Sequence, residues 1–286
     1  MSETILEVTG VTAGFGPTTV LHGVDLTVPA GQVAGVFGLN GAGKSVTMKV
    51  LAGLVPARSG TVRFLDDDVT SASPEDRVLR GMAHVPQGRQ VFAALSVEQN
   101  LRLGAYALRR RDRSRYQGVL DGVFDRFPTL AERRTQLAGT MSGGQQAALA
   151  VARSLMSEPT LVLVDEPSAG LSPMAVQDLF GTLREVARTG VTMVLVEQNV
   201  AFGLQLVDTV HVLQVGRVVH RGPVAGLDQE ALAGYLGIGR LLGGGVATSI
   251  AGRATTTATR RRTRRRREGH TTPAVTTTAA TNGKVH

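Results

Sequence analysis

Residues 38 to 45 read GLNGAGKS, which fits G-x-x-x-x-G-K-[ST]. They sit between an apolar run, VAGVFG at 33 to 38, and a stretch of helical character from about Gly43 to Leu54. This context restricts the fold more than any other feature of the chain, because such a loop needs a buried strand feeding it and a helix leaving it. Gly38, Gly41 and Gly43 let the backbone curl into a nest of N–H groups, with Asn40 and Ala42 between them, and the helix adds the positive end of its dipole. Lys44 then reaches the terminal phosphates of a nucleotide, the Ser45 hydroxyl joins a Mg²⁺ shell, and Val46 follows as the last residue of the cradle. The plainer alternative, a glycine-rich turn capping a helix, leaves the strand, the lysine and the hydroxyl as coincidences.

The rest of the first 240 residues fits the same architecture. Short apolar runs recur as strand candidates at TVRFL (61–65), MAHVP (82–86), TLVLVD (160–165), VTMVLV (191–196) and TVHVLQV followed by RVVHR, and helical stretches separate most of them. Strands alternating with helices predict an α/β fold with a mainly parallel sheet covered on both faces. The Arg- and Leu-rich stretch from about 95 to 138 reads as several inserted helices.

In LVLVDEP (161–167) four apolar residues form a central strand that delivers Asp165 beside the phosphate loop, where ligands of open α/β sheets collect. Asp165 is therefore a candidate metal ligand, and Glu166 stands where a carboxylate can orient and deprotonate an attacking water. Taken alone, the same residues are solvated charges at a strand end; the matched phosphate loop tips the reading the other way. Gln87, in HVPQGRQVF, follows another strand and can offer its amide to the metal or the water. In MSGGQQ (141–146), Ser142 and Gln145 make an S-x-x-Q capping box, an ordinary helix start. Gly143 and Gly144 do not belong to that explanation, since each costs up to about 1 kcal/mol relative to alanine in a helix. Bare N–H groups there admit an anion. Because the chain's own phosphates already have a cradle, the turn is expected to meet the nucleotide of a second copy, in a head-to-tail dimer that sandwiches two ATP molecules.

The net charge of +8 first points to nucleic acid, but it is confined to residues 241–286, where nine Arg and Lys face the single acid Glu268. Residues 1–240 carry 22 basic and 22 acidic residues. The basic segment is rich in Thr, Ala and Arg, lacks aromatic residues and shows no apolar periodicity, so a disordered tail is expected, joined through Gly243, Gly244 and Gly245 at a boundary near 240. There is no cysteine, which excludes disulfides and thiolate metal sites. No apolar run approaches the ~18 to 20 residues of a membrane span, and the expectation is a protein neither secreted nor membrane-spanning.

In this order and at this spacing, the phosphate loop, Gln87, the Ser-Gly-Gly-Gln turn, LVLVDE and SAGLSP (168–173) resemble the ATP-binding subunits of ABC transporters, over roughly residues 5 to 237. The resemblance implies a P-loop NTPase core of ABC type with a small antiparallel β region and a helical subdomain, at about 88–155, that bears the signature turn. It implies ATP and Mg²⁺ as cofactors. It also places Phe15, in TAGFGPTTVLHGVDL, where an aromatic residue stacks on adenine, although composition alone makes Phe15 a core residue as readily. HVPQGRQVF, LVEQN (195–199) and YLG (235–237) look like the ATPase subunits of high-affinity branched-chain amino acid importers. That closer likeness implies separate integral-membrane permease subunits, a second ATPase subunit, identical or different, and an extracytoplasmic substrate-binding protein acting indirectly. The chain would then sit peripherally on the cytoplasmic face of the cell membrane. Urea and short-amide importers share much of the pattern. A rival reading, a soluble ABC ATPase of translation or DNA repair that grips nucleic acid through RRRTRRRR, is disfavoured by the neutral body and the lack of interleaved aromatics. A third makes the basic tail a clamp on anionic lipid headgroups.

The chain departs from the resembled pattern at four places. Gln198 stands where many ABC ATPases carry a switch histidine; it can donate a hydrogen bond to a γ-phosphate but cannot carry a proton. Met141 replaces a leucine at little cost. Val46 replaces a hydroxyl residue, which predicts weaker nucleotide binding, and Ser172 replaces an aspartate, which predicts altered contacts across a dimer.

Overall fold

The structure is a computed structural model in which residues 3–235 are described. The boundary near residue 240 and the basic tail lie outside the described residues. Two long strands, β1 (Thr4–Phe15) and β2 (Thr18–Pro29), open the chain as a hairpin. Strand β3 (Val33–Phe37) leads through the phosphate loop into α1 (Lys44–Leu51), followed by β4 (Ser59–Phe64), β5 (Asp67–Asp68), α2 (Pro74–Leu79) and β6 (Met82–Val85). Helices α3 (Val97–Gly104), α4 (Tyr106–Arg111), α5 (Tyr116–Arg126), α6 (Pro128–Ala131) and α7 (Gly143–Leu155) separate β6 from β7 (Leu161–Asp165). Then come α8 (Pro173–Arg188), β8 (Thr192–Val196), α9 (Val200–Leu204), β9 (Thr209–Gln214), β10 (Arg217–Pro223) and α10 (Gln229–Tyr235). Among the described residues no helix is long and apolar enough to cross a membrane.

The strands form two sheets. The larger runs β10-β9-β3-β8-β7-β6, parallel throughout except for β10. Its strands β3, β7 and β8 are buried at every position, which is why they read as unbroken apolar runs rather than alternating ones. The smaller sheet, β2-β1-β4-β5, is antiparallel. Sequence order places TVRFL with the parallel strands, but it forms part of β4 in this second sheet, where Leu6 pairs with Phe64 and Val8 with Val62 so that all four side chains are buried.

Helix α1 packs against both sheets, and the main core gathers Leu6, Val8, Leu21 and Leu26 from one, Met48 and Leu51 from α1, and Val36, Leu163 and Val194 from the other. The helix stops at Leu51, short of Leu54, for a local reason. Its last carbonyls, on Val50 and Leu51, each accept a 2.7 Å hydrogen bond from the buried Arg77 guanidinium of α2, and Gly53 turns the chain away.

Candidate functional site

Four adjacent parallel strands, in the order β3-β8-β7-β6, end on one edge of the larger sheet. The loops leaving them carry the phosphate loop, Gln198, Asp165 with Glu166, and Gln87 respectively. Sheet order thus brings together residues that lie up to 160 positions apart, in the crevice where open α/β sheets bind ligands.

In the phosphate loop, Gly43 sits at φ +108°, and a Cβ there would lie 2.7 Å from Leu21. A Cβ on Gly38 would lie 2.3 Å from the Leu213 carbonyl oxygen, so the loop folds this way only with these two glycines. Asn40 and Gly41 are exposed at its apex, while Ala42 is buried and its carbonyl accepts from the Gly216 amide at 2.9 Å. Lys44 is 4% exposed, and its Nζ donates to the Gly38 and Leu39 carbonyls at 2.9 and 3.1 Å. Ser45 is half-buried, and Val46 packs against the apolar core, which gives its side chain a structural use.

Glu166 is the centre of the cluster. Its amide donates to the Val196 carbonyl at 2.9 Å, just beyond the last β7–β8 pairing, and its φ is +44°. A non-glycine residue held there costs of order 1–3 kcal/mol, a strain that collects at functional sites. Its Oε2 accepts from Gln87 Nε2 at 2.7 Å and from Gln198 Nε2 at 2.9 Å, and its Oε1 lies 3.8 Å from Lys44 Nζ. One buried carboxylate therefore gathers the lysine and both glutamines.

Asp165 is buried beside it, and its Oδ1 has no hydrogen-bond partner. Burial, and next the Glu166 carboxylate, push its pKa up to about 6, while Lys49, Lys44 and the Ser45 hydroxyl pull the other way. An unpartnered buried carboxylate oxygen near a hydroxyl is what a hard cation would satisfy, and Mg²⁺ in such sites takes one or two carboxylates with phosphate oxygens and water. Asp165 and Ser45 fit that ion, and Gln87 reaches the same cluster with the amide oxygen still to offer.

Phe15 ends β1 at the tip of the hairpin and is 52% exposed, with Lys49 Nζ 5.9 Å from its ring centroid. Of the two readings of this residue, core or ligand contact, the core one fails. Arg58 braces the hairpin by donating to the Gly16 and Thr18 carbonyls at 2.6 and 3.1 Å and to Thr19 Oγ1 at 2.8 Å. Nothing in the local pattern around Arg58 signals that task.

The signature turn stands apart from the Glu166 cluster. Ser142 Oγ accepts from the Gln145 amide at 3.3 Å and Gln145 Oε1 accepts from the Ser142 amide at 3.0 Å, the reciprocal cap on α7. A Cβ on Gly143 would lie 2.8 Å from the Arg89 guanidinium, and one on Gly144 would lie 2.9 Å from Ala175 Cβ, so the chain's own packing also asks for small residues here. The turn lines a cavity of about 610 Å³ together with Gly170, Leu171, Ser172 and Met174, and no phosphate-loop residue lines it. Met141 is buried, and Ser172 caps α8 by accepting from the Ala175 amide at 3.4 Å, a task within reach of an aspartate as well. Sequence reasoning passed over Arg89, which donates to the backbone of a distant loop, and Glu197, whose carboxylate accepts from backbone amides of its own turn and of the distant Ser168.

Comparison with known proteins agrees with this fold. Residues 21–169 match the family model described as ABC transporter. The chain is 40% identical over 229 residues to the high-affinity branched-chain amino acid transport ATP-binding protein BraG of Pseudomonas aeruginosa, covering 79% of this chain and 97% of that protein. It is 34% identical over 219 residues to a protein of Archaeoglobus fulgidus named "Probable branched-chain amino acid transport ATP-binding protein LivF", covering 76% and 92%. Among solved structures it is similar to a nucleotide-free ATP-binding cassette from an ABC transporter, with a TM-score of 0.69 and 26% identity over 81% of this chain and 94% of that one.

Proposed function

We propose, because this chain belongs to the ABC transporter family of ATP-binding subunits, that it hydrolyses ATP to power a membrane importer of branched-chain amino acids. The convergence of Lys44, Gln87 and Gln198 on the Glu166 carboxylate carries the hydrolytic part of this reading, and the 40% identity to BraG carries the substrate class. The described residues form one ATP-binding domain, with a helical subdomain at about 88–155.

The adenine of ATP stacks on the exposed Phe15 ring, and its phosphates take the N–H groups of the loop from Gly38 to Val46. Lys44 exchanges two backbone carbonyls for phosphate oxygens, which releases Glu166 from its neighbourhood. Asp165, Ser45 and Gln87 are the residues that would hold Mg²⁺, which would supply charge neutralisation on the phosphates. Glu166 orients the attacking water and takes its proton, and Gln198 turns its amide from Glu166 to the γ-phosphate. Ser142, Gly143, Gly144 and Gln145 contact the ATP of a second ATPase subunit, so closing and reopening of the pair drives integral-membrane permeases between two states. The chain then works peripherally on the cytoplasmic face, and the extracytoplasmic binding protein meets only the permeases.

Two experiments test this. Glu166→Gln lowers turnover by roughly 10² to 10⁴ with ATP binding retained; normal hydrolysis by that variant removes the base assignment. Affinity capture of the tagged chain from detergent-solubilised membranes recovers two multi-span permeases and an ATPase partner, with uptake of leucine, isoleucine or valine lost when the gene is deleted. Capture of ribosomal or DNA-bound proteins without a permease overturns the importer reading.

A further inference from the structure

Glu197, between β8 and Gln198, is 1% exposed and belongs to none of the ion pairs among the described residues. Its carboxylate is satisfied by three backbone amides instead. Oε2 accepts from Gln198 at 2.7 Å and from Asn199 at 3.0 Å, and Oε1 accepts from Ser168 at 3.1 Å. The two oxygens are thus divided between two loops. One holds the turn that aims Gln198 at Glu166; the other holds the start of SAGLSP, whose residues Ala169, Gly170 and Ser172 are exposed.

Burying a carboxylate without a cation is costly unless every lone pair in reach is used, and three N–H donors meet that requirement. An acceptor-only side chain is needed, because both of its ends face donors. An apolar residue that merely filled this volume would leave the three amides unpaired, at about 1–3 kcal/mol each. The 168–172 loop has a second hold, Arg89, which donates to the Gly170 carbonyl at 3.0 Å, but that contact is exposed and leads to the loop after β6 rather than to Gln198.

We propose that Glu197 is a positioning residue that makes the 168–172 loop move with Gln198, so that nucleotide occupancy in one subunit is passed to the surface facing its partner. This rests on the reading of Gln198 as the γ-phosphate contact and of the 168–172 loop as facing a second subunit. The link is a single rigid carboxylate bridging two backbone segments, so a displacement of the Gln198 turn displaces the Ser168 amide with it.

Glu197→Gln cuts the link at one end. Two amides need the oxygen on the Gln198 side, so the new NH₂ turns toward Ser168, where it meets another donor. The test uses the full chain with Mg²⁺ and ATP, hydrogen exchange read at residues 167–172 and 197–199, nucleotide affinity, and steady-state hydrolysis. In the wild type the two peptides change exchange with the same ATP midpoint. In Glu197→Gln, ATP affinity stays within twofold, residues 167–172 no longer respond to ATP, and kcat falls at least tenfold with KM unchanged. Arg89→Ala keeps the coupled response. A merely structural role lowers thermal stability but leaves the response at 167–172 intact, which overturns the proposal. Should Glu197→Gln not fold, the wild-type midpoints decide: a response at one peptide without the other overturns it. A wild-type chain that binds no ATP fails earlier, on the function itself, and takes this inference with it.

Discussion

Asp165→Asn makes the nucleotide-free protein more stable and the nucleotide-bound protein worse. In the folded chain the Asp165 carboxyl is pushed from an ordinary 3.8 up to about 6, chiefly by burial and then by Glu166. The folded state therefore holds this proton more tightly than the unfolded chain does. Below about pH 3.8 the group is neutral in both states and costs nothing extra; as pH rises through 3.8 to 6 stability is lost, and above 6 the full deficit stays. At about 1.36 kcal/mol per pH unit the ceiling is roughly 3 kcal/mol. Hydration of the cleft and the desolvation of the new amide take away a good part of that, which leaves about 1–2 kcal/mol, or a rise in Tm of about 2–8 °C for a domain of this size. Thermal unfolding of the metal- and nucleotide-free chain at pH 8 and at pH 4 measures it: the variant gains at pH 8 and the gain vanishes at pH 4. With Mg²⁺ and ATP at pH 8 the order reverses, because the wild type gains ligand stabilisation that the variant forfeits. A variant that is less stable at pH 8, or whose gain is the same at both pH values, refutes the argument that burial of the Asp165 carboxylate sets the behaviour of this site.

The other predictions concern the edges of the site. Phe15→Ala weakens ATP and ADP alike, by about 1–3 kcal/mol or roughly 5- to 150-fold in affinity, with Tm unchanged because the ring is half in solvent; equilibrium titration with both nucleotides checks it, and a loss confined to ATP contradicts adenine stacking. Arg77→Ala removes five hydrogen bonds to the Val50, Leu51, Val69, Thr70 and Ala72 carbonyls and costs about 3 kcal/mol, read as a fall in Tm of about 6–12 °C. Gly43→Ala, at φ +108° and 2.7 Å from Leu21, lowers both stability and ATP affinity, since the loop can relieve the clash only by opening its nest of amides; melting curves with and without ATP separate the two effects.

What was legible in the sequence shares one property. Asp165, Glu166, Gln87 and Gln198 each stand at or within two residues of the end of an apolar run, and Lys44 closes the glycine loop that leaves another, so the strand that delivers the residue and the residue's chemistry are written close together. Their convergence follows once β3, β8, β7 and β6 are neighbours, and only the two-sided burial of β3, β7 and β8 hints at that order. The pairing of β4 with β1 was not legible, because antiparallel partners some 50 residues apart leave no mark in either segment alone. Arg77, Arg58, Arg89 and Glu197 were missed for a related reason: each acts on backbone groups of a distant segment, and a backbone amide or carbonyl has no sequence identity to match. The signature glycines lie between these cases. Their cost in a helix start was visible and pointed to a ligand, yet Arg89 and Ala175 fill the same space within the chain. Arg89 is long and only half-buried, so it can withdraw from Gly143, whereas Ala175 is carried by the first turn of α8. Of the two glycines, Gly143 is therefore the one where space can open for a ligand, and Gly144 the one that α8 requires.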